Sequence, residues 1–177
     1  RELADYCEAK YSLLTQHTDP EKALPPLLVR QQKAVDLITQ CYQQMHMLSA
    51  QNNTDYKRML RIFQEALDLQ EHISVSLHQP EEVQKLVERS HAEEVIRWNA
   101  QTVAARLRVL ADDILYHRLP TRFTMEKQIG ALEKIARQHP DNPVGQFCYW
   151  HFSRIARVLR TQKPLYARDL LADKQRR

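Results

Sequence analysis

The 177 residues carry 43% apolar and 27% charged side chains, an ordinary balance for one globular domain with a sizeable core. Two glycines, Gly130 and Gly145, stand against eight prolines, which leaves too little left-handed freedom for the hairpins of a β-rich domain. A net charge of +4, three scattered cysteines and no apolar run of roughly 18 residues exclude a disulfide framework and a membrane span within this sequence.

The first helix is expected from Glu2 to His17. Thr18-Asp19-Pro20-Glu21 then combines a capping box with a proline at a first helical position, which marks a turn and a new start. Pro25-Pro26 is expected to interrupt, and a long helix to follow. In it Leu28, Gln31, Val35, Ile38, Tyr42 and Met45 recur at spacings of 3, 4, 3, 4 and 3, with Ala34, Cys41 and Leu48 widening the stripe into one buried face. Asn52-Asn53-Thr54-Asp55 forms a loop and N-cap cluster. The next helix places Met59, Ile62, Phe63, Ala66, Leu69, Ile73 and Leu77 on one side.

Pro80-Glu81-Glu82 opens a short acidic helical turn, and Ser90-His91-Ala92-Glu93 is a second capping box. It starts the strongest helix, where Ile96, Ala100, Val103, Leu107, Leu110 and Ile114 repeat at 4, 3, 4, 3 and 4 as far as His117. Leu119-Pro120-Thr121 breaks it. A further helix spans Thr124 to Gln138, and His139-Pro140-Asp141-Asn142-Pro143 is a turn. The last long helix, Val144 to Thr161, directs Cys148, Phe152, Ile155 and Leu159 inward, and Pro164 separates it from a final segment, Leu165 to Lys174. Together these describe an all-α helical bundle of about five long helices plus short helical segments, a single domain over 1–177. Cys7, Cys41 and Cys148 each fall within a helix and read as buried, reduced thiols.

Charge divides along the chain. Residues 1–94 hold 10 Lys/Arg against 15 Asp/Glu, a net of −5, and residues 95–177 hold 16 against 7, a net of +9. Such a split fits an anionic partner, two halves facing one another in an oligomer, or a solvated surface with no dedicated partner.

Candidate chemistry is sparse. Glu88 and His91 form one Glu-x-x-His, with Glu94 beyond; a carboxylate-bridged di-metal bundle needs two such pairs, and this one straddles a helix start. Asp112-Asp113 resembles the paired aspartates of helical prenyl-transferring enzymes. It lacks their third carboxylate, and pairing with Arg108 or His117 at helical spacing is expected instead. No catalytic residue, metal or cofactor is therefore assigned. Arg154, Arg157 and Arg160 line one helix face beside Tyr149, Trp150 and His151, a pattern suited to an anionic ligand or to arginine stems covering a core rim, with Tyr149 and Trp150 as packing residues. Lys174, Arg176 and Arg177 follow an amphipathic segment, as basic residues do on the cytoplasmic flank of a membrane helix.

Three stretches carry a resemblance: Arg1-Glu-Leu-Ala-Asp-Tyr-Cys-Glu-Ala-Lys, Arg97-Trp-Asn-Ala-Gln, and Tyr166-Ala-Arg-Asp-Leu-Leu-Ala-Asp-Lys-Gln-Arg-Arg. The chain resembles the YccS/YhfK family of bacterial inner-membrane proteins, itself similar to fusaric-acid-resistance and aromatic-acid-exporter proteins. The resemblance implies a cytoplasmic domain lying between two membrane-helix bundles, with Lys174, Arg176 and Arg177 just before the second. It implies the membrane domains of the same polypeptide as partners. The basic C-terminal half suits an anionic lipid surface and the wide apolar stripes a second copy of the chain; the alternative is an anion- or nucleic-acid-binding module built on that basic half. Export of small organic acids is what the resemblance implies for the parent protein, and it carries no catalytic or ligand residue onto these positions. The opening in helical pattern without an initiator Met, and the ending at Arg177, agree with a piece of a longer protein.

Overall fold

The computed structural model describes residues 1–15, 20–48, 54–75, 85–88, 90–116, 118 and 121–175. Side chains are described for these except 14, 15, 20, 21, 23, 48, 54, 55, 58 and 161–175. Among the described residues every regular element is a helix. These are α1 (Glu2–Thr15), α2 (Pro20–Leu48), α3 (Thr54–Ser74), a helical turn α4 over 85–88, α5 (Ala92–Leu115), α6 (Glu126–Gln138) and α7 (Pro143–Gln175).

α5 is the axis of the bundle because its periodicity is the cleanest. Ile96, Ala100, Val103, Leu107 and Leu110 are all buried, as their spacing demands. α1 lies antiparallel against it, inserting Ala4, Cys7 and Tyr11. Charge helps set that pairing. Arg108 of α5 holds Asp5 at 2.6 Å and Glu8 at 2.7 Å, and Arg1 reaches Asp112 at 2.5 Å. Part of the acidic N-terminal half thus meets the basic half within one chain, and Arg108 pairs with α1 rather than with its own helix.

α6 and α7 form a hairpin whose turn is legible atom by atom. Asn142 Oδ1 accepts from the amides of Val144 at 2.9 Å and Gly145 at 3.4 Å, satisfying two otherwise orphaned donors, while Pro143 occupies the first helical position where no amide is needed. From there Cys148, Phe152, Ile155 and Leu159 all enter the core. At α5 the cap differs from the expected box. Ser90 Oγ accepts from the Ala92 amide at 3.2 Å, and His91 is the N-cap residue, without a side-chain cap.

A second polar row follows α5 at seven-residue spacing. Buried Asn99 donates to the carbonyls of Val95 and, across to α6, Gln128; buried Arg106 donates to the Thr121 hydroxyl and carbonyl and stacks over Phe123 at 5.1 Å. These bonds tie the returning connection back onto the helix it left.

Several expectations are corrected. α2 runs through Pro25 and Pro26 as one helix. The hydrogen bonds those prolines forgo would go to the carbonyls of residues 21 and 22, near the helix start, where Lys22, Leu24, Pro25 and Pro26 are exposed and the carbonyls can turn to solvent. α7 likewise continues through Pro164 to Gln175, the carbonyl left without a donor being that of exposed Arg160. The face of α2 is buried only in part: Ala34 and Met45 are enclosed and Gln31, Val35 and Ile38 half-buried, whereas Leu28, Tyr42 and Cys41 are exposed. Met59 of α3 is also exposed, while Leu69 and Ile73 are buried. Cys7 and Cys148 are buried as expected. The expected breaks at 18–19, 52–53, 80–82, 117 and 119–120, and Leu77, lie outside the described residues, as do Arg176, Arg177 and the side chains of Lys174 and of Leu165, Tyr166, Leu170 and Leu171.

Candidate functional site

Two places gather polar chemistry, one inside the bundle and one on its surface. The inner one joins three helices. Lys10 leaves α1 on its buried side and donates from Nζ to the carbonyls of Ile73 and Val75, at the C-terminal end of α3. An ammonium there satisfies orphaned carbonyls and meets the negative end of the helix dipole. Burial pushes the Lys10 amine down to about 8. Next to it, the Tyr11 hydroxyl and His151 Nε2 share a hydrogen bond that ties α1 to α7. The Tyr11 ring lies 4.8 Å from Phe152, and Phe147 stacks on His151 at 5.2 Å.

Burial drives the His151 imidazole down to about 3, and the neighbouring charges of Lys10, His72 and Arg154 push the same way. His151 is therefore neutral at physiological pH. Burial also raises both thiols, Cys7 and Cys148, to about 12, which leaves them protonated and poorly nucleophilic. With its amine and imidazole engaged by protein partners, the cluster is built as a brace. The sequence does carry its signal: Lys10 shares the inward side of α1 with Tyr6, Cys7 and Tyr11, where a lysine has to find acceptors.

The surface place is a groove of about 230 Å³ between the start of α6 and the middle of α7. Phe123, Met125, Ile129 and Ala156 give it an apolar floor, and Arg157 and Arg160 stand at its edge, opposed by one carboxylate, Glu126. Ser153 also lines it, and the Ser153 Oγ is enclosed without a hydrogen-bond partner. Arg106 lies behind the Phe123 ring. Of the three arginines singled out from sequence, the groove takes Arg157 and Arg160. Arg154 is exposed on the same helix and is felt by His151 instead. Trp150, expected to pack, is exposed, with Tyr149 half-buried at 5.2 Å from it.

The carboxylate candidates disperse. Asp112 pairs with Arg1, while Asp113 turns inward on the adjacent face, about 100° away. Glu88 and His91 are exposed, and among the described residues no three His, Cys, Asp or Glu side chains gather closely enough to hold a metal ion. Among the described residues no helix is long and apolar enough to cross a membrane.

No solved structure matches the chain. A family model described as FUSC-like inner membrane protein yccS matches residues 1–170, nearly the entire sequence. The all-helical bundle, the Asn142-Pro143 cap and the brace around Lys10 are thus features of a chain that belongs to the FUSC-like family of inner membrane proteins.

Proposed function

We propose that this chain is the cytoplasmic helical domain of an inner-membrane efflux-type transporter of small organic, chiefly aromatic, acids, placed between two membrane-helix bundles and serving assembly or gating. Within the family we place it in the YhfK branch, on the three sequence stretches noted above. The observation that carries the reading is the family match across residues 1–170. The basic C-terminal half, with Lys174, Arg176 and Arg177, suits a position near the anionic inner leaflet. The domain carries no catalysis of its own in this reading. A deletion strain, complemented with the complete protein or with protein lacking residues 1–177, is profiled against organic acids. Sensitisation that the shortened, membrane-inserted protein fails to reverse supports the reading. Equal profiles for all strains sink it.

A second reading has its own observation, the groove edged by Arg157 and Arg160 over an apolar floor. Two guanidinium groups beside Phe123 suit an anion with a flat apolar body. Calorimetric titration with aromatic carboxylates should then show saturable binding that Arg157→Ala with Arg160→Ala abolishes. Heat without saturation removes this reading.

A further inference from the structure

Of the apolar residues of α2 that the bundle leaves uncovered, Leu24, Leu28 and Tyr42 fall on one line, whereas Val29, Leu37 and Met47 lie elsewhere round the helix. Leu28, Val35 and Tyr42 recur every seven residues, the repeat that keeps a seam on one side of a helix over several turns. Leu24 lies on the same line, within about 40° of the others at 100° per residue. The enclosed residues of α2, Ala34 and Met45, lie on a neighbouring line, about 60–80° round. α2 therefore carries two adjacent apolar lines. One is spent on its own bundle; on the other, Leu28 is 52% and Tyr42 57% exposed. The Tyr42 ring lies 6.1 Å from Phe63 of α3, and exposed Met59 follows one turn away, so the line broadens across two helices.

The side chains bordering this line identify what covers it. Within about 90° of the line α2 places Gln31, Gln32, Thr39, Gln43 and His46 and no lysine or arginine, while Gln40 and Gln44 lie on the far side; from Ala34 to Leu48 the one carboxylate is Asp36. Asp36 is already engaged by the Gln32 amide at 2.8 Å. Lys22, Arg30 and Lys33 project roughly 120–180° away from the apolar line. A surface for anionic lipid or nucleic acid needs cations beside its apolar or stacking residues, and here they point elsewhere. Depletion of charge around an apolar centre is the mark of a protein interface. A two-fold contact adds a stricter demand, because groups near the axis face their own copies. A lysine or glutamate there repels itself, whereas an amide carries both a donor and an acceptor and pairs with its own image.

We propose that the Leu24–Leu28–Val35–Tyr42 line of α2, broadened by Phe63 and Met59, is the contact between two copies of this chain, a two-stranded seam of α2 against α2. It rests on the assembly part of the proposed function and is independent of what is transported. Because Leu28 and Tyr42 are exposed in the single chain, changing these two leaves the core intact, which makes the test clean.

The chain and its Leu28→Gln/Tyr42→Gln variant are compared by size-exclusion with light scattering and by sedimentation equilibrium across micromolar concentrations, with thermal unfolding followed by circular dichroism. The expected result is a dimer of the 20.9 kDa chain. The variant should weaken it by at least about tenfold in Kd with an unchanged helical signal, as loss of two central anchors does. A dimer that survives the double substitution places assembly on another surface and overturns this contact, leaving the assembly reading in place. A strict monomer overturns both the contact and an assembly role, while the transport reading keeps its own test. Binding of the monomer to anionic phospholipid vesicles that the same variant abolishes gives the face to a membrane and overturns the proposal.

Discussion

α5 and α2 show the same apolar periodicity and meet opposite fates. α5 is flanked by α1, α6 and α7, and its stripe from Ile96 to Leu110 disappears into the core. α2, with 29 residues the longer of the two, touches α1 and α3 and encloses Ala34 and Met45, while Leu28 and Tyr42 of its stripe stay 52% and 57% exposed. A helical stripe records that a face wants covering. How many neighbours arrive to cover it is settled by where the other helices are placed.

That contrast can be broken most sharply in the core. Phe152→Ala, at a fully enclosed ring beside Tyr11, should cost ~3–5 kcal/mol in urea unfolding. Tyr42→Ala in the single chain should change stability by less than about 1 kcal/mol, since its ring is half in water already. Similar losses at the two positions would mean that α2 is packed as tightly as α5.

The brace comes next. Lys10→Met leaves the Ile73 and Val75 carbonyls without their donor and should lower stability by ~1–3 kcal/mol, with Tyr11→Phe costing a comparable amount through His151. Amide exchange should then quicken at the end of α3 before it does in α5.

Acid should act through His151. Its folded value near 3 lies below the unfolded value of 6.5, so the unfolded chain binds the extra proton between them. Stability therefore falls as pH drops from about 6.5 toward 3, and thermal midpoints measured across that window should show it. His151→Phe should flatten the slope; an unchanged slope would mean that other groups carry it. Lys10 gives the same sign at alkaline pH, its contribution rising from about 8 to 10.5.

The smallest effects belong to the surface. Arg108→Ala removes two part-exposed ion pairs to α1 and should cost at most about 1 kcal/mol, less in high salt. Gly130→Ala has nothing within 4 Å of the added methyl and should stabilise α6 by ~0.5–1 kcal/mol.

Much of the architecture was legible beforehand. The spacing of Ile96 to Leu110, the inward set Cys148, Phe152, Ile155 and Leu159, and the Asn142-Pro143 turn all follow from period and cap chemistry that act within a few residues. Proline is the exception. Its penalty depends on whether the carbonyl four residues earlier has water to turn to, and exposure is not a local property. Of the arginine stripe, the common face of Arg157 and Arg160 was visible, with Ser153 one turn earlier on the same helix; the Phe123 floor comes from the connection before α6.

Composition and period alone determined that this chain is helical, roughly where its helices lie, and which side of each is apolar, because those are short-range properties of side chains on a helical backbone. Tertiary structure alone decided that Lys10 ends on α3, that Tyr11 finds His151 140 residues away, and that one apolar line of α2 is left to the solvent. Each of those outcomes depends on which helix arrives at a given face, and helical periodicity is the same whichever neighbour comes.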